Sequence, residues 1–500
     1  MRAFFLNLFL AVTCTNGARI LGYIPTPSYS HQVPFQALWR ELSLRGHQVT
    51  TITSHPINDH TLTNLTEIDL SPMLQSGTSF NPMEIALLGV IGGFRMFFEQ
   101  MVDVLGAELA YDPVLDLING DGRFDLVIGE HHFATPFAFA HRFGCPSIGV
   151  ISIEGWSAHY GLVGSPNHPI LYPEFWSAWD DRLSIVQHVE NFILYFWTRM
   201  HLMDYMLEMD KQLIDKHFGS DYPSPQALMQ NVSLLFVNSE PVFNPLRALM
   251  PSVIQIGTAL ALTASKPLPK ELKATLDNAS NGFIYFSLGS NVQSEMLPPE
   301  LLDVFLSVFA ELPYTVLWKF GSDILPNKTD NIIISKWFPQ PEVLKHPNIK
   351  LFITQGGVQS LGEAVSAHVP IVGVPFLVDQ PYNVKNLERK GCGLMLDYRN
   401  LDREQFKLAI LEVINNPRYR NTMKRLSELA LDQPMTGVEK AVWWVEYVLR
   451  HKGAKHLKSP FLDLPWYQYL LLDVIGVVVL TLCAIVLSLR YTIRIIGKIV

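Results

Sequence analysis

One segment limits the choice of fold more than any other. Lys350–Thr354 reads as a buried strand, Gly356 and Gly357 follow it, and Val358–Ala367 has helical spacing. The glycine pair lets the backbone come close to a ligand. The helix start beyond it offers free N–H groups and the positive end of a dipole to an anion. This strand–glycine–helix layout is that of a phosphate site.

The same kind of unit recurs along the chain. The first half opens with a strand (Ile20–Ile24), a Pro/Ser loop, a helix (about His31–Arg45) and a second strand (His47–Thr53). Later come a strand at Phe124–Ile128, a helix at Thr135–Phe143 and a strand at Ser147–Ile151, with Leu234–Asn238 as the last strand of this half. The second half starts at Asn281–Ser290, strand then glycine turn, and continues with strands near Thr315–Lys319, Ile332–Ser335, Lys350–Thr354 and Ile371–Val374. Such alternation predicts parallel sheets with helices on both faces. The expected organisation is an N-terminal domain over residues 19–240, a Pro- and Leu-rich connection over 241–280, and a second domain over 281–450. The last helical stretch is placed to pack back on the first half.

Composition draws attention to the ends. Apolar residues make up 48% of the 500 and charged residues only 17%, while the net charge of −8 argues against nucleic acid as a partner. Residues 1–18 have the make-up of a secretory signal: Arg2, an apolar run from Ala3 to Val12, and small residues at Gly17 and Ala18. Trp466–Leu489 is long and apolar enough to cross a bilayer, with Trp466, Tyr467 and Tyr469 where an aromatic belt belongs. Asp473 falls near its start. Basic residues flank the span on both sides, so orientation rests on the signal: a lumenal body and a cytosolic tail at 490–500. Sequons at Asn64, Asn231, Asn278 and Asn327 suit that compartment. Of the four cysteines, Cys14 lies in the signal and Cys483 in the span; Cys145 and Cys392 fall in different halves, and no zinc spacing exists. Two middle segments, Met83–Phe98 and Phe192–Met206, are unusually apolar. They read first as buried core helices, and otherwise as a surface lining a lipophilic acceptor site or touching a membrane.

Trp337 and Gln340 stand upstream of the glycine pair, and Asp379-Gln380 downstream. This combination resembles the signature of the UDP-glycosyltransferase family, in its membrane-bound glucosyl- and glucuronosyltransferase branch. Those enzymes move a sugar from a UDP-sugar onto a small acceptor. The likeness is strongest over Phe236–Tyr398. It implies an α/β chain of GT-B fold, two Rossmann-like domains facing across a cleft, with a C-terminal single transmembrane helix. By resemblance, Trp337 stacks on uracil and Gln340 bonds its edge or the ribose. Stacking suits a flat base on an aromatic face, whereas the plainer reading has Trp337 capping the domain core. Ser290, Ser360 and the N–H groups from Gly356 and Gly357 to Gln359 would hold the diphosphate. Glu363 would accept the ribose hydroxyls, and Asp379 with Gln380 those of the transferred sugar; Asp379 also suits a helix cap. Most of the family has His where this chain has Gln355, a variant that recurs in arthropod branches. Gln can donate only a neutral hydrogen bond there.

The resemblance also implies the chemistry. His31 follows the first strand, at the carboxyl edge of a parallel sheet where ligands bind. A helix start disfavours imidazolium, so the ring stays neutral and able to take a proton. The family pairs this His with an Asp after a later strand; here Glu130 falls at that place and would orient the imidazole. Asp125 reads as structural. The implied reaction is an inverting displacement with no cofactor and no metal. The implied donor is UDP-glucose rather than UDP-glucuronate. The acceptor class is a small lipophilic phenol or steroid-like alcohol, as in detoxification, and homo- and hetero-oligomers are both compatible. The setting is the endoplasmic reticulum membrane, type I and single-pass. Alternatives are a glucuronosyltransferase, a sphingolipid hexosyltransferase, or a catalytically silent nucleotide-sugar-binding subunit.

Overall fold

The computed structural model describes residues 17–74, 88–174, 176, 183–257, 267–376 and 378–499. Two parallel sheets organise it. The first has seven strands in the order β3-β2-β1-β4-β5-β6-β7: β1 (Arg19–Tyr23), β2 (Gln48–Thr53), β3 (Leu65–Asp69), β4 (Leu126–Glu130), β5 (Ser147–Ile151), β6 (Leu234–Val237) and β7 (Val253–Gln255). The second has six, in the order β10-β9-β8-β11-β12-β13: β8 (Phe283–Ser287), β9 (Thr315–Lys319), β10 (Ile332–Ser335), β11 (Ile349–Thr354), β12 (Ile371–Gly373) and β13 (Gly393–Met395). Every strand pairing is parallel.

The central strands are apolar along their length and lie between helices. LVIGE of β4 and FIYFS of β8 are buried at every residue. In the second domain Phe286, Phe305, Phe309, Trp318 and Phe406 form a contiguous aromatic core, with ring centroids 4.9–5.7 Å apart along the chain of contacts. In each sheet strand order reverses at one place, between β1 and β4 and between β8 and β11. Ligands bind beyond the carboxyl ends of strands at such switch points.

Several expectations need adjustment. The connection expected over 241–280 is not all linker. Val253–Gln255 adds β7 to the edge of the first sheet, and Lys270–Asp277 is a helix whose Leu276 is buried in the second domain. Pro- and Leu-rich flanks hide a three-residue strand from pattern reading. The expected strand Phe124–Ile128 sits two residues later, so Glu130 is the last residue of β4. Asp125 precedes the strand and accepts the Arg19 N–H at 2.8 Å. The apolar C-terminal helix runs Leu472–Ile499, not Trp466–Leu489. Residues Trp466–Tyr469 form a separate turn, followed by Leu471 with φ of 53°. Asp473 therefore falls in the first turn of the helix, and the expected tail at 490–500 continues as helix to Ile499. The leader expected over 1–18 lies, up to residue 16, outside the described residues.

The helix Gly437–His451 starts at a reciprocal Thr436–Glu439 capping box. It returns to the first domain, where Ala441, Val442, Val445 and Val448 pack with Phe35, Leu38 and Leu42 of the helix Tyr29–Leu44.

Candidate functional site

A cleft of about 1710 Å³ runs between the two sheets. Both switch points open into it, as the positions of His31, Gly289, Ser290, Gln355 and Gly357 on its wall show.

On the first domain, β1 leads through Thr26 into the helix Tyr29–Leu44, whose third residue is His31. Gln32 fixes this loop: its amide donates to the carbonyls of Ile24 and Thr26 at 2.6 and 2.8 Å. His31 Nδ1 meets Glu130 Oε1 at 2.6 Å, and Ser152 Oγ lies 2.9 Å from the same nitrogen. Nε2 remains as the ring's outward nitrogen on the cleft wall. The other Glu130 oxygen accepts the Thr26 N–H at 3.0 Å and the Thr26 hydroxyl at 2.6 Å. His132 Nδ1 is 3.3 Å from Oε1. Burial alone would raise the Glu130 carboxyl, but His31 and His132 outweigh it and hold it well below the usual carboxylate range. The result is a buried carboxylate that stays ionised and grips an imidazole whose far side faces open space. His31, Glu130 and His132 also offer ligand atoms within 4.8 Å of one another, the one such group among the described residues that could hold a metal ion.

On the second domain, Gly356 adopts φ of +93°, and a Cβ there would strike Val384. Only glycine fits both demands. Gln355 is buried with its amide against Gly289, which itself has φ of +76°. Ser290 stands exposed beyond that turn. The helix Val358–Ser366 begins at Gly357 with no side-chain cap, so its first N–H groups point into the cleft. Gln340 Nε2 donates to Ser360 Oγ at 3.1 Å and to Glu363 Oε2 at 2.7 Å. Burial raises the Glu363 carboxyl to about 7. Trp337 does not cap the core: it is 54% exposed on the cleft, and its neighbour Phe338 is the buried residue. The Lys319 ammonium lies 4.4 Å from the Trp337 ring centroid, and the Tyr29 ring meets the indole edge-on at 5.3 Å.

Asp379 occupies the cap position of the helix Gln380–Arg389 without a side-chain capping bond. It instead accepts from Asn383 Nδ2 at 2.7 Å. Burial raises its carboxyl, with Asn383 and His31 acting the other way, which puts His31 within electrostatic reach across the cleft. Gln380 is buried, and its Oε1 accepts the Phe376 N–H at 2.9 Å.

Gln359 does more than offer a backbone N–H. Its side-chain amide crosses to the first domain and donates to the Ser30 carbonyl at 2.7 Å and the Ser152 carbonyl at 3.1 Å. The Ser30 carbonyl is available because residue 34, its helical partner, is a proline without an N–H. Ser28 adds a second bridge, to Asn291 at 3.0 Å.

Several of these residues escape sequence reading: Ser152, His132, Lys319, Asn291 and the aromatic wall of Phe94, Phe97, Trp156 and Trp176. For Ser152 and Lys319 a usable signal existed. Each lies at or just past the carboxyl end of a parallel strand, as His31 and Glu130 do. Phe94 and Phe97 fall in the apolar segment Met83–Phe98, whose alternative reading is an acceptor lining, whereas Trp156 and Trp176 have no local signature.

Two parallel domains facing across a cleft, with an anion-ready helix start on one wall and a His–Glu pair on the other, define a GT-B glycosyltransferase. The match to the family model for UDP-glucoronosyl and UDP-glucosyl transferase spans residues 120–498, and the chain belongs to that family. Among its relatives, UDP-glucosyltransferase 2 of Dactylopius coccus is 35% identical over 98% of this chain and 95% of its own length. The ecdysteroid UDP-glucosyltransferase of Spodoptera littoralis nuclear polyhedrosis virus is 33% identical over 93% and 94%. Among solved structures, the glycosyltransferase VinC in complex with DTDP superposes with a TM-score of 0.58, at 15% identity, over 87% of this chain and all of that one.

Proposed function

We propose that this enzyme transfers glucose from UDP-glucose to a hydroxyl of a small lipophilic acceptor, with inversion and without a metal. The observation that carries the reading is the buried Glu130 holding His31 by Nδ1 at 2.6 Å while the other edge of the ring faces the cleft. His31 Nε2 takes the acceptor's proton. The acceptor oxygen forms its bond to the anomeric carbon as the bond to the diphosphate oxygen breaks, and UDP leaves with that electron pair. Glu130 stabilises the imidazolium that results. Trp337 stacks on uracil, and Gln340 with Glu363 binds its edge and the ribose. Ser290, Gln355 and the N–H groups of Gly357, Gln359 and Ser360 hold the diphosphate, whereas the expected Gly356 N–H is already taken by Thr354 Oγ1 at 3.2 Å. Asp379 with Gln380 positions the sugar. In the close His31–Glu130–His132 group the ionised Glu130 is hydrogen-bonded to both imidazoles and fixes the orientation of His31.

Glucose is favoured over glucuronate by the sugar end of the cleft. It presents the Asp379 carboxyl, and Arg399, which also lines the cleft, is paired with Asp397 at 2.9 Å. A second carboxylate there would meet repulsion. The acceptor class follows from Phe94 and Trp176, whose rings lie 4.8 Å apart on the cleft wall beside Trp156. Flat apolar molecules with one hydroxyl suit that wall, and a relative's name includes ecdysteroid. The intact dyad stands against the silent-subunit alternative.

One helix among the described residues, Leu472–Lys498, is long and apolar enough to cross a membrane. It is read as a type I anchor in the endoplasmic reticulum, with both domains lumenal and the basic end cytosolic. Asn231, Asn278 and Asn327 are exposed, and Asn64 half-buried, as acceptors for lumenal glycans. The test is a donor panel on microsomes bearing the chain, with a phenol and an ecdysteroid as acceptors and His31→Ala alongside. A hexose conjugate from UDP-glucose, lost in the variant, is expected. Conjugates from UDP-glucuronate alone, or undiminished turnover in the variant, would overturn the donor or the base respectively.

A further inference from the structure

The apolar segment Phe192–Met206, expected first as buried core, is not buried along its first half. In the helix Ile185–Trp197 the one buried residue is Asn191. Ile185, Val186, Val189, Phe192, Ile193 and Phe196 are all large, apolar and exposed, and Met200 continues the row past the helix end. At about 100° per residue these side chains fill one arc of roughly 120°. Exposed Glu190 and His201 fall outside that arc on its polar edge. A contiguous face of this kind on a surface helix marks a contact with something apolar.

The neighbourhood says what that is. The turn Gly161–Gly164 touches both ends of the question. Gly161 lies against Arg199, at the end of the apolar helix, and Gly164 against Ser459 and Leu462, just ahead of the C-terminal anchor. Tyr469 packs on Phe461 at 4.3 Å. The apolar helix therefore ends close to the stretch around Ser459 and Leu462 that leads into the anchor. Exposed Lys455 stands in the same stretch, where anionic headgroups would receive it.

We propose that the exposed face of Ile185–Met200 lies in the bilayer surface that the anchor crosses, so that the first domain is held to the membrane at two places. The inference rests on reading Leu472–Lys498 as a membrane span. An in-plane helix beside a spanning one fixes the body's tilt, which a single anchor does not.

The test is lipid-phase photolabelling of the full-length chain in phosphatidylcholine vesicles that contain a diazirine acyl chain. Peptides from 185–200 and from 472–498 should both carry label, well above the surface helix Pro417–Leu431. Label on the anchor alone would overturn this inference and leave the anchoring intact. Label on neither would overturn both. Cross-linking of 185–200 to a second copy in place of lipid would assign the face to self-association and overturn the proposal too. The double variant Phe192→Glu with Ile193→Glu should lose the 185–200 label while anchor labelling and UDP binding persist. Retention of that label would also count against the bilayer.

Discussion

The two walls of the cleft are made differently. The donor wall draws most of its groups from one stretch, Trp337 to Gln380, and much of its chemistry is backbone: glycine turns and a helix start. The acceptor wall is assembled from distant points. His31, Glu130 and Ser152 come from three strand ends, and its aromatic residues from loops and helices between Phe94 and Trp176. Backbone recognition of a diphosphate works for any nucleotide sugar, so a compact motif serves it. A dispersed wall lets the acceptor change without disturbing the donor. The division makes a strong claim, that each wall can be damaged alone.

The largest expected effect is on chemistry. His31→Ala should lower kcat by about 10²- to 10⁴-fold, the usual span for a general base, with UDP affinity unchanged by calorimetric titration. A matching loss of UDP binding would break the division. Trp337→Ala should do the reverse. Loss of a stacked base, worth about 1–3 kcal/mol, weakens UDP by about 5- to 150-fold, while the residual kcat at saturating donor changes little.

Gln359 is where the walls meet, and its truncation sharpens the comparison. Gln359→Ala removes two neutral hydrogen bonds to the backbone beside His31 and His31's partner Ser152. A reduction of kcat/KM by about tenfold is expected from bonds worth about 0.5–1.5 kcal/mol each. Placing an N–H donor at residue 34, by Pro34→Ala, would let the Ser30 carbonyl bond within its own helix and should give a smaller loss in the same direction. Wild-type kcat/KM in both variants would reduce the bridge to a passive contact.

The smallest effect is in pH. Burial raises Glu363 to about 7, so the group is protonated below that pH and ionised above it. Ribose hydroxyls donate best to the carboxylate, so UDP binding should strengthen as pH rises through about 7, with proton release. Burial also lowers Lys319 to about 8. Above that pH its positive charge is lost and affinity for the anion should fall. UDP titrations across the neutral range should therefore peak between these values, and Glu363→Gln should flatten the acid side alone.

How much of this was legible followed the same division. Gly356, with its positive φ and no room for a Cβ, announced itself by being glycine between a strand and a helix. Trp337 was found through the resemblance of Trp337 and Gln340 to the family signature. Glu130 was found by its place in the family's sequence context after Phe124, although the strand boundary was two residues off. Half of the aromatic acceptor wall lay within reach, since Phe94 and Phe97 belong to Met83–Phe98, read in the alternative as an acceptor lining, while Trp156 and Trp176 come from separate segments with no shared pattern. The fate of Ile185–Met200 was also hidden: an apolar helix has the same composition whether it faces a core or a bilayer, and only its surroundings decide. β7 was lost for a third reason, since three residues are too few to show a period.

The return of the helix Gly437–His451 to the first domain has a mechanical consequence. The chain bridges the two domains twice, once after β7 and once before Thr436, and the path to the anchor leaves from the acceptor side. Lys458 bonded to Asn231, with Ser459 and Leu462 seated on Gly164, clamps that exit to the first domain. With the proposed anchor in a bilayer, the acceptor half would be the stationary jaw and the nucleotide half the one free to swing. Each turnover would then exchange UDP by rocking the far jaw, while His31 keeps a constant height above the lipid from which a greasy acceptor arrives.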